Sequence, residues 1–292
     1  MVAERACAKL NLYLEIVGKR ADGYHDLRTL FQSIDLADEI AIEVGDGLAP
    51  GVTCRVEGAE LPTDARNLAV RAAQEWLRAT GVVEGIRLEI RKRIPIGGGL
   101  GGGSSDAACV LRTLQGMKPE HARSRRLLED LARSLGADVP FLLEGGAAEA
   151  TGRGDVITPL PPPPPVSYVL IVPPFGTETA KVYAHAHERL RPAPQDGLEA
   201  MKAAVASGVP ARLRAAHHND LAQPAMRAYP ELLRFTSATE RLLGRPPCMT
   251  GSGSTLFDVP DAHEIDEVVA RLASLPGRRV VVRPTRAEHG RR

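Results

Sequence analysis

The chain has 292 residues, enough for one large domain or two smaller ones, and 43% of them are hydrophobic while 25% are charged. The formal net charge of +1 gives no reason to expect a nucleic-acid or membrane partner. No apolar run approaches the roughly 18 residues of a transmembrane helix, and the first residues lack a signal-peptide core. Four scattered cysteines form no Cys-x-x-Cys pair, so we predict reduced thiols, no metal cluster and a cytoplasmic protein.

The first predicted element is a strand over residues 6–17, since hydrophobic side chains alternate with others along the stretch. The alternation puts Lys9 and Asn11 on one face, two residues apart. From this stretch alone we favour a solvated outer face for the two side chains, with a functional face as the alternative.

A turn is predicted next, because Asp22-Gly23 within residues 19–27 is a turn signal. Tyr24 and His25 follow directly. The two side chains form either a packed loop tip or a platform for a flat heterocycle, which would stack on the tyrosine and bond to the histidine through its edge.

Alternating apolar positions predict two strands over residues 40–44 and 52–56, joined as a hairpin through residues 45–51. A helix is predicted over residues 67–79, where apolar side chains recur on one face. The single tryptophan, Trp76, lies on that face and is assigned to the core.

A glycine-rich loop lies between a predicted strand over residues 86–90 and a predicted helix over residues 106–114. Dense glycine is costly inside a helix or strand, so the loop backbone is expected to come close to a ligand. Ser104 and Ser105 are predicted to cap the helix. Free N–H groups and the positive end of the helix dipole predict an anion site. The loop residues are Pro95, Ile96, Gly97, Gly98, Gly99, Leu100, Gly101, Gly102, Gly103, Ser104 and Ser105.

Three phosphate-binding patterns compete for this loop. Gly97, Gly99 and Gly102 match the dinucleotide pattern G-x-G-x-x-G, but no strand ending in an acid follows about 20 residues later. A Walker loop needs a lysine before the serine, and this loop has none. The third pattern, Pro-x-Gly-Gly-Gly-Leu-Gly-Gly-Gly-Ser-Ser, closely resembles the phosphate loop of the GHMP kinases. A flexible linker is disfavoured because linkers lack a flanking strand and a capped helix.

Asp138 stands between a predicted helix over residues 127–135 and a predicted apolar strand. Burying an unpaired carboxylate is costly. The residue is therefore either a cap or turn residue or a working carboxylate.

The proline run over residues 159–165 is stiff and lacks donors for a sheet, and we interpret it as the seam between domains 1–158 and 159–292. His217 and His218 are assigned surface or capping roles. The later predicted elements are strands over 166–172 and 279–282, helices within 205–216 and 225–243, a small-residue loop over 249–257 that approaches the same ligand as the glycine loop, and a disordered tail over 286–292. Residues 192–209 receive no role.

Over nearly its full length the chain resembles the GHMP family of small-molecule kinases. The resemblance is carried by Ala8–Leu12, Arg20–His25, Pro95–Asp106 and Thr250–Phe257, with Gly136–Phe141 and His218–Leu221 in support. It implies an α+β fold of two domains with the active site in the cleft between them. It also implies ATP-dependent phosphorylation of an alcohol, with ATP at the glycine loop and Mg²⁺ bridging the β- and γ-phosphates.

The resemblance makes Lys9 and Asp138 the catalytic pair. Asp138 would take the proton of the acceptor hydroxyl, and Lys9 would hold the carboxylate and help the hydroxyl ionise. The Asp-Gly-Tyr-His segment together with Lys-Leu-Asn implies a small-molecule acceptor linked to cytidine diphosphate, a methylerythritol phosphorylated on its 2-hydroxyl in the non-mevalonate isoprenoid pathway. The expected substrate contacts are Asn11, Tyr24, His25, Thr179 and Tyr183, with Phe175 as the alternative to Tyr183.

Two alternatives stay open at this point. The chain could be another GHMP kinase, or a non-catalytic nucleotide-binding protein with the same fold. The resemblance offers Ser105 as a candidate contact to Mg²⁺ but assigns no full set of metal ligands, and a monomer and a homodimer are both compatible with it.

Overall fold

The structure is a computed structural model that describes residues 1–119, 124–186 and 193–287. Strands and helices are both abundant in these ranges, which confirms the predicted α+β class. The strands are β1 Val2–Lys19, β2 His25–Gly45, β3 Val52–Glu57, β4 Gly85–Arg91, β5 Ala147–Thr151, β6 Val156–Leu160, β7 Tyr168–Val172, β8 His218–Asn219, β9 Cys248–Met249, β10 Leu256–Asp258 and β11 Arg278–Val282. The helices are α1 Leu68–Thr80, α2 Gly102–Met117, α3 Arg125–Leu135, α4 Val139–Glu144, α5 Thr179–Ala184, α6 Gly197–Ser207, α7 Pro210–Ala216, α8 Ala222–Ala228, α9 Pro230–Leu243 and α10 Ile265–Arg271.

Among the described residues the larger sheet has seven strands, of which β3, β4, β2, β1 and β8 are hydrogen-bonded in that order. Its two longest strands, β1 and β2, pair antiparallel from Val2 opposite Ile42 to Lys19 opposite His25. Two strands pair with the edge of β2 that faces away from β1: β5 pairs with the first half of β2 and β4 with its second half. The predicted strand over residues 6–17 is therefore confirmed as part of a longer one that crosses the sheet.

The predicted hairpin between β2 and β3 is wrong, because β4 lies between them. β4 pairs antiparallel with β2 and parallel with β3. A parallel pair needs a long crossover, and α1 supplies it between β3 and β4. β4 buries Ile86, Leu88 and Ile90 beside β2, whereas β3 lies at the edge of the sheet and is half-exposed.

Helices α1 and α2 cover one face of this sheet. The predicted α1 is confirmed: the Asn67 side chain accepts a hydrogen bond from the Ala69 N–H at 3.0 Å, and Gly81 ends the helix in the left-handed conformation. Trp76 is completely buried in this core, as predicted.

The strand predicted after Asp138 is a short helix instead. Pro140 lies in the first turn of α4, where a missing N–H costs nothing, and Phe141 and Leu142 are buried. Helix α3 is confirmed and stops at Gly136. The closely spaced end of α3 and start of α4 hold Asp138 at a helix N-terminus.

The smaller sheet is antiparallel, with strand order β11, β7, β10, β9. The proline run begins inside β6, an edge strand that tolerates Pro159, and continues to β7 in the smaller sheet. β8 belongs to the later part of the chain but pairs with β1 of the larger sheet. The domain boundary at 158/159 stays a prediction.

Helices lie within both later stretches where they were predicted, each broken into two. Gly208, in the left-handed conformation, and Pro210 separate α6 from α7, while Tyr229 separates α8 from α9. Residues 197–207, to which the sequence assigned no role, form α6; Pro192 and the tail from residue 288 lie outside the described residues. No helix within the described ranges is both long and apolar enough to cross a membrane.

Of the two roles predicted for His217, the capping position is confirmed, because the residue is the C-cap of α7, whereas the surface role is wrong. Its Nδ1 bonds to the Leu12 carbonyl at 2.9 Å and its Nε2 accepts from the Met249 N–H at 3.3 Å. Because β8 pairs with β1, the imidazole lies at the junction of the two sheets. Burial lowers its pKa to about 4, so the ring stays neutral there.

Candidate active site

A cavity of about 1190 Å³ opens along the glycine loop. Its walls come from β1, β2, the starts of α1, α2 and α5, and the small-residue loop before β10. The predicted site residues that line it are Lys9, Asn11, Tyr24, His25, Pro95, Ile96, Gly97, Gly98, Gly99, Leu100, Gly101, Gly102, Gly103, Ser104, Asp138, Thr179 and Tyr183. Ser105 is not in the wall, so its expected contact to Mg²⁺ is wrong. The structure thus brings together, around one cavity, predicted site residues that are more than 170 positions apart in sequence.

The start of α2 differs from the prediction that serines cap it. The helix begins at Gly102, and the cap residue is Gly101 in the left-handed conformation with φ +72°. Ser105 lies inside the helix, where its hydroxyl donates to the Cys7 carbonyl at 2.6 Å. Glycine can adopt this entry conformation without strain, and no side chain makes a capping hydrogen bond to the first turn. The N–H groups of that turn, which have no partner within a helix, remain available to an anion.

A second loop, residues 250–255, braces the first. The Thr255 N–H donates to Gly98 O at 3.2 Å, and the Ser254 N–H donates to Gly97 O at 3.3 Å. A Cβ atom on Gly99 would lie 2.4 Å from the carbonyl oxygen of Thr250, so no larger residue fits there. Gly251 and Ser252 of this loop also line the cavity. The glycines of both loops are thus needed for backbone to pack on backbone.

Lys9 lies at the centre of the cavity wall, and the predicted solvated face is wrong. Lys9 and Asn11 are 4% and 2% exposed, and the lysine Nζ donates to Asn11 Oδ1 at 2.6 Å. Register shifts in the β1–β2 ladder flank this pair, and the Lys9 N–H bonds to Leu100 O at 3.0 Å instead. Such irregularities re-aim side chains. Here they bring strand β1 against the glycine loop.

Asp138 faces Lys9 across the cavity, with 3.7 Å between its Oδ2 and the lysine Nζ. Burial lowers the pKa of Lys9, and the charge of Asp138 opposes that effect. Although Asp138 is the first residue before α4, its side chain makes no capping hydrogen bond and is 32% exposed. Its carboxylate is therefore open to a ligand in the cavity.

Aromatic side chains form the other end of the cavity. The rings of His25 and Tyr183 stack, with centroids 5.1 Å apart. Tyr24 is 58% exposed, and the guanidinium of Arg153 lies over its ring at 5.2 Å. Thr179 lies beside them, with its hydroxyl 2.9 Å from that of Ser252.

The two candidates for the second aromatic differ in position. Phe175 packs edge-on against Phe235, with ring centroids 6.2 Å apart, and does not line the cavity. Tyr183 does line it, and burial raises the pKa of its hydroxyl well above the ordinary value.

Sequence reasoning missed one group in the wall: Lys92, which binds the carboxylates of Asp38 and Asp106. A signal was present, since Lys92 continues the inward phase of Ile86, Leu88 and Ile90 along β4. Within the described residues, no cluster of three or more His, Cys, Asp or Glu side chains could hold a metal ion.

A family model and several known proteins are similar to this chain. Residues 67–146 match the model of the GHMP kinases N terminal domain. A protein of Pelotomaculum thermopropionicum named 4-diphosphocytidyl-2-C-methyl-D-erythritol kinase is 39% identical over 272 residues, covering 93% of each chain. A crystal structure of 4-(cytidine 5'-diphospho)-2C-methyl-D-erythritol kinase is 38% identical, with a TM-score of 0.79 over 97% of this chain and 99% of that one.

A more distant structure, homoserine kinase from Cytophaga hutchinsonii, shares the fold at 16% identity, with a TM-score of 0.72 over 98% of this chain and 95% of that one. The predicted GHMP-kinase-like fold is confirmed. The identity and coverage of the nearer relatives define the family more narrowly: this chain belongs to the 4-diphosphocytidyl-2-C-methyl-D-erythritol kinases, within the GHMP kinases.

Proposed function

We propose that the chain transfers the γ-phosphoryl group of ATP to the 2-hydroxyl of 4-diphosphocytidyl-2-C-methyl-D-erythritol, a step of the non-mevalonate route to isoprenoid precursors. As a member of this family the chain is an ATP-dependent small-molecule kinase. One observation carries the proposal for this chain: Lys9 and Asp138 face each other, 3.7 Å apart, beside an open helix N-terminus in one cavity.

The glycine loop is the proposed phosphate site. Phosphoryl transfer has a loose transition state, so positioning and charge stabilisation do most of the catalytic work. Backbone N–H groups at the start of α2 would bind the phosphate oxygens, and the helix dipole adds positive potential.

Mg²⁺ is part of the proposal as the ion that neutralises the β- and γ-phosphates. The described residues offer no ready-made cage of carboxylates for it. Mg²⁺ commonly keeps several waters and binds substrate phosphates with few protein ligands. The residues present therefore fit an ion that enters on ATP.

Asp138 is the proposed base. It would accept the proton of the 2-hydroxyl as the substrate oxygen forms its bond to the γ-phosphorus and the bond from that phosphorus to ADP breaks. Lys9 would orient the carboxylate and stabilise the developing negative charge. Asn11 would hold the lysine through the 2.6 Å hydrogen bond, and its own amide donates to Thr29 Oγ1 at 2.8 Å.

The aromatic end of the cavity is the proposed cytidine site. Tyr24 and Tyr183 offer ring faces to the base, and His25 offers ring nitrogens to its edge. His25 and Tyr183 already contact each other at 5.1 Å, so the base is not expected between those two rings. Thr179 and Asn11 complete the proposed substrate contacts.

The cellular setting is also proposed. The four cysteines form no disulfide in the structure, and a cytoplasmic location would keep them reduced. A monomer and a homodimer both fit the proposal.

ATP turnover tests the function. ADP release should be fast with the cytidyl substrate and slow with no acceptor, with homoserine or with mevalonate. Preferred turnover of another acceptor would identify a different GHMP kinase, whereas ATP binding without turnover of any acceptor would favour the non-catalytic alternative.

A further inference from the structure

A cluster of three buried charges lies beneath the start of α2. Asp38 comes from β2, Lys92 directly follows β4, and Asp106 lies in the second turn of α2. Lys92 Nζ donates to Asp38 Oδ2 at 2.5 Å and to Asp106 Oδ2 at 2.6 Å. The three side chains are 4% exposed or less, so water screens these charges little.

The cluster touches the proposed phosphate site. Lys92 and Asp106 line the cavity, and a Cβ atom on Gly102 would lie 3.5 Å from Lys92 Nζ. Whatever charge the cluster carries is therefore adjacent to the backbone that would bind the ATP phosphates.

The two carboxylates are not equally well satisfied. Asp38 accepts from Lys92 and, through Oδ1, from the N–H groups of Arg93 and Ile94 at 2.5 and 2.9 Å. Asp106 accepts from Lys92 alone, and its Oδ1 is buried without a hydrogen-bond partner among the described residues. A buried carboxylate oxygen without a donor favours the protonated acid, which would in turn donate to Asp38.

Electrostatics agree with this assignment. Burial and the negative charge of Asp38 raise the pKa of Asp106, Lys92 lowers it, and the net result is a pKa of about 7. Burial lowers the pKa of Lys92, but the two carboxylates outweigh it, so the lysine stays charged. With Asp106 ionised the cluster has a net charge of −1 beside an anion site, and with Asp106 protonated it is neutral.

The other titratable groups near Asp106 keep their charge state, so Asp106 is the group that changes charge. Cys54 of β3 and Cys109 of α2 stay thiols, because burial raises their pKa values to about 11 and about 12. Lys9 of β1 is paired in the catalytic site, and Arg71 of α1 donates to a backbone carbonyl.

We propose that Asp38, Lys92 and Asp106 position the glycine loop for the nucleotide, and that ATP binds together with one proton held between Asp106 and Asp38. The inference rests on the proposed function, since it needs phosphate at the start of α2. Phosphate charge beside the cluster favours the neutral form of Asp106, so the carboxyl takes up a proton on binding. By linkage, ATP then binds more weakly as the pH rises.

Isothermal titration of ATP with excess Mg²⁺ and no acceptor tests this. Titrations in two buffers of different ionisation enthalpy give the number of protons taken up, and titrations from pH 6 to pH 9 give Kd. If phosphate raises the pKa of Asp106 from about 7 to about 8, Kd should rise roughly eightfold over this range. ATP itself also ionises in this range, so the quantity to compare is the pH dependence of Kd in wild type and in Asp106→Asn. The variant should not show the roughly eightfold rise in Kd that is due to Asp106.

Two further variants keep the test decisive if Asp106→Asn folds poorly. Asp38→Asn removes the neighbouring negative charge, so the rise in Kd should move to lower pH. Asp258→Asn is the matched control. It removes an equally buried carboxylate that does not line the cavity and that pairs with Arg245 at a distance of 2.7 Å. This variant should keep the wild-type pH dependence of Kd.

The outcomes separate the two levels of the proposal. Equal proton uptake by wild type and Asp106→Asn, or an unmoved pH dependence in Asp38→Asn, would overturn the inference and leave the kinase function standing. Failure of the wild type to bind ATP at any pH would overturn both.

Discussion

Replacing Asp138 with asparagine separates a working carboxylate from a residue that only begins α4. The side chain makes no capping hydrogen bond and is one-third exposed, so the free energy of unfolding should fall by less than about 1 kcal/mol. General-base assistance is worth about 10²–10⁴ in rate, and kcat should fall by that factor. The KM values for ATP and for the acceptor should change little, because asparagine keeps the shape of the side chain.

Lys9 is the ion-pair partner of Asp138, so substitutions of the two residues should have coupled effects on kcat. At 3.7 Å and an effective dielectric constant of about 20, two unit charges attract by roughly 4 kcal/mol, and the exposure of Asp138 reduces this. Lys9→Ala should be severe for kcat but also leaves a hole beside Phe31, whose ring centroid is 5.4 Å from the lysine Nζ. Lys9→Met is the matched variant, since it keeps most of the stem and removes the charge.

The double variant decides whether the two residues act as a unit. If each single substitution lowers kcat about 10³-fold, independent effects would multiply to about 10⁶, whereas a coupled pair should lose little more than the worse single variant. Steady-state ADP release measures kcat, and denaturant unfolding measures stability. A kcat of the folded Asp138→Asn protein near wild type, with a lowered melting temperature, would refute the catalytic assignment.

Three further outcomes are expected. Gly101→Val puts a branched side chain at φ +72° and a Cβ atom 3.1 Å from Lys9 Cγ. Calorimetric titration should show a large loss of ATP affinity, while denaturant unfolding should show a much smaller loss of stability. Normal ATP affinity would mean that the loop does not bind phosphate. His25→Ala should raise the KM for the cytidyl acceptor and leave ATP affinity nearly unchanged, and an equal loss for acceptors with other bases would exclude base recognition by the imidazole. As the pH falls from 7 to 5, the free energy of unfolding of the wild type should fall by about 2 kcal/mol, because the unfolded chain protonates His217 below about pH 6.5 whereas the folded chain does so only near pH 4. Denaturant titrations of His217→Gln should lack that loss. An identical dependence of unfolding free energy on pH in both proteins would mean that other groups cause it.

Features set by local sequence were predictable. The bounds of α1 follow from Asn67, an apolar stripe and Gly81, all within one segment. The glycine loop was found for the same reason, since a strand, a run of glycines and a helix are adjacent in sequence. The start of α2 was misplaced because a left-handed glycine, and not a serine side chain, begins the helix.

Features set by distant contacts were not predictable from one sequence. The alternation in β2 and β3 fits a hairpin as well as it fits two strands separated by β4, and only the crossover through α1 decides between them. The polar face of β1 looked solvated because its cover, the glycine loop and Asp138, lies some 90 to 130 residues further along the chain.

The candidate site was partly predictable in the same sense. The resemblance to GHMP kinases named Lys9, Asp138 and the glycine loop, and the structure places all of them except Ser105 on one cavity. The Asp38–Lys92–Asp106 cluster escaped notice because each residue is ordinary in its own segment. Its character depends on burial and on three segments that meet only in the fold.

Mass spectrometry of the reaction product tests the proposed activity most directly. After incubation with ATP, Mg²⁺ and 4-diphosphocytidyl-2-C-methyl-D-erythritol, the acceptor should gain the mass of one phosphate, and fragmentation should locate it on the 2-oxygen of the methylerythritol. Asp138→Asn, folded and able to bind ATP, should form this product at about 10²–10⁴ lower rate. An acceptor recovered without added phosphate from wild-type protein that binds both ligands would contradict the proposed function.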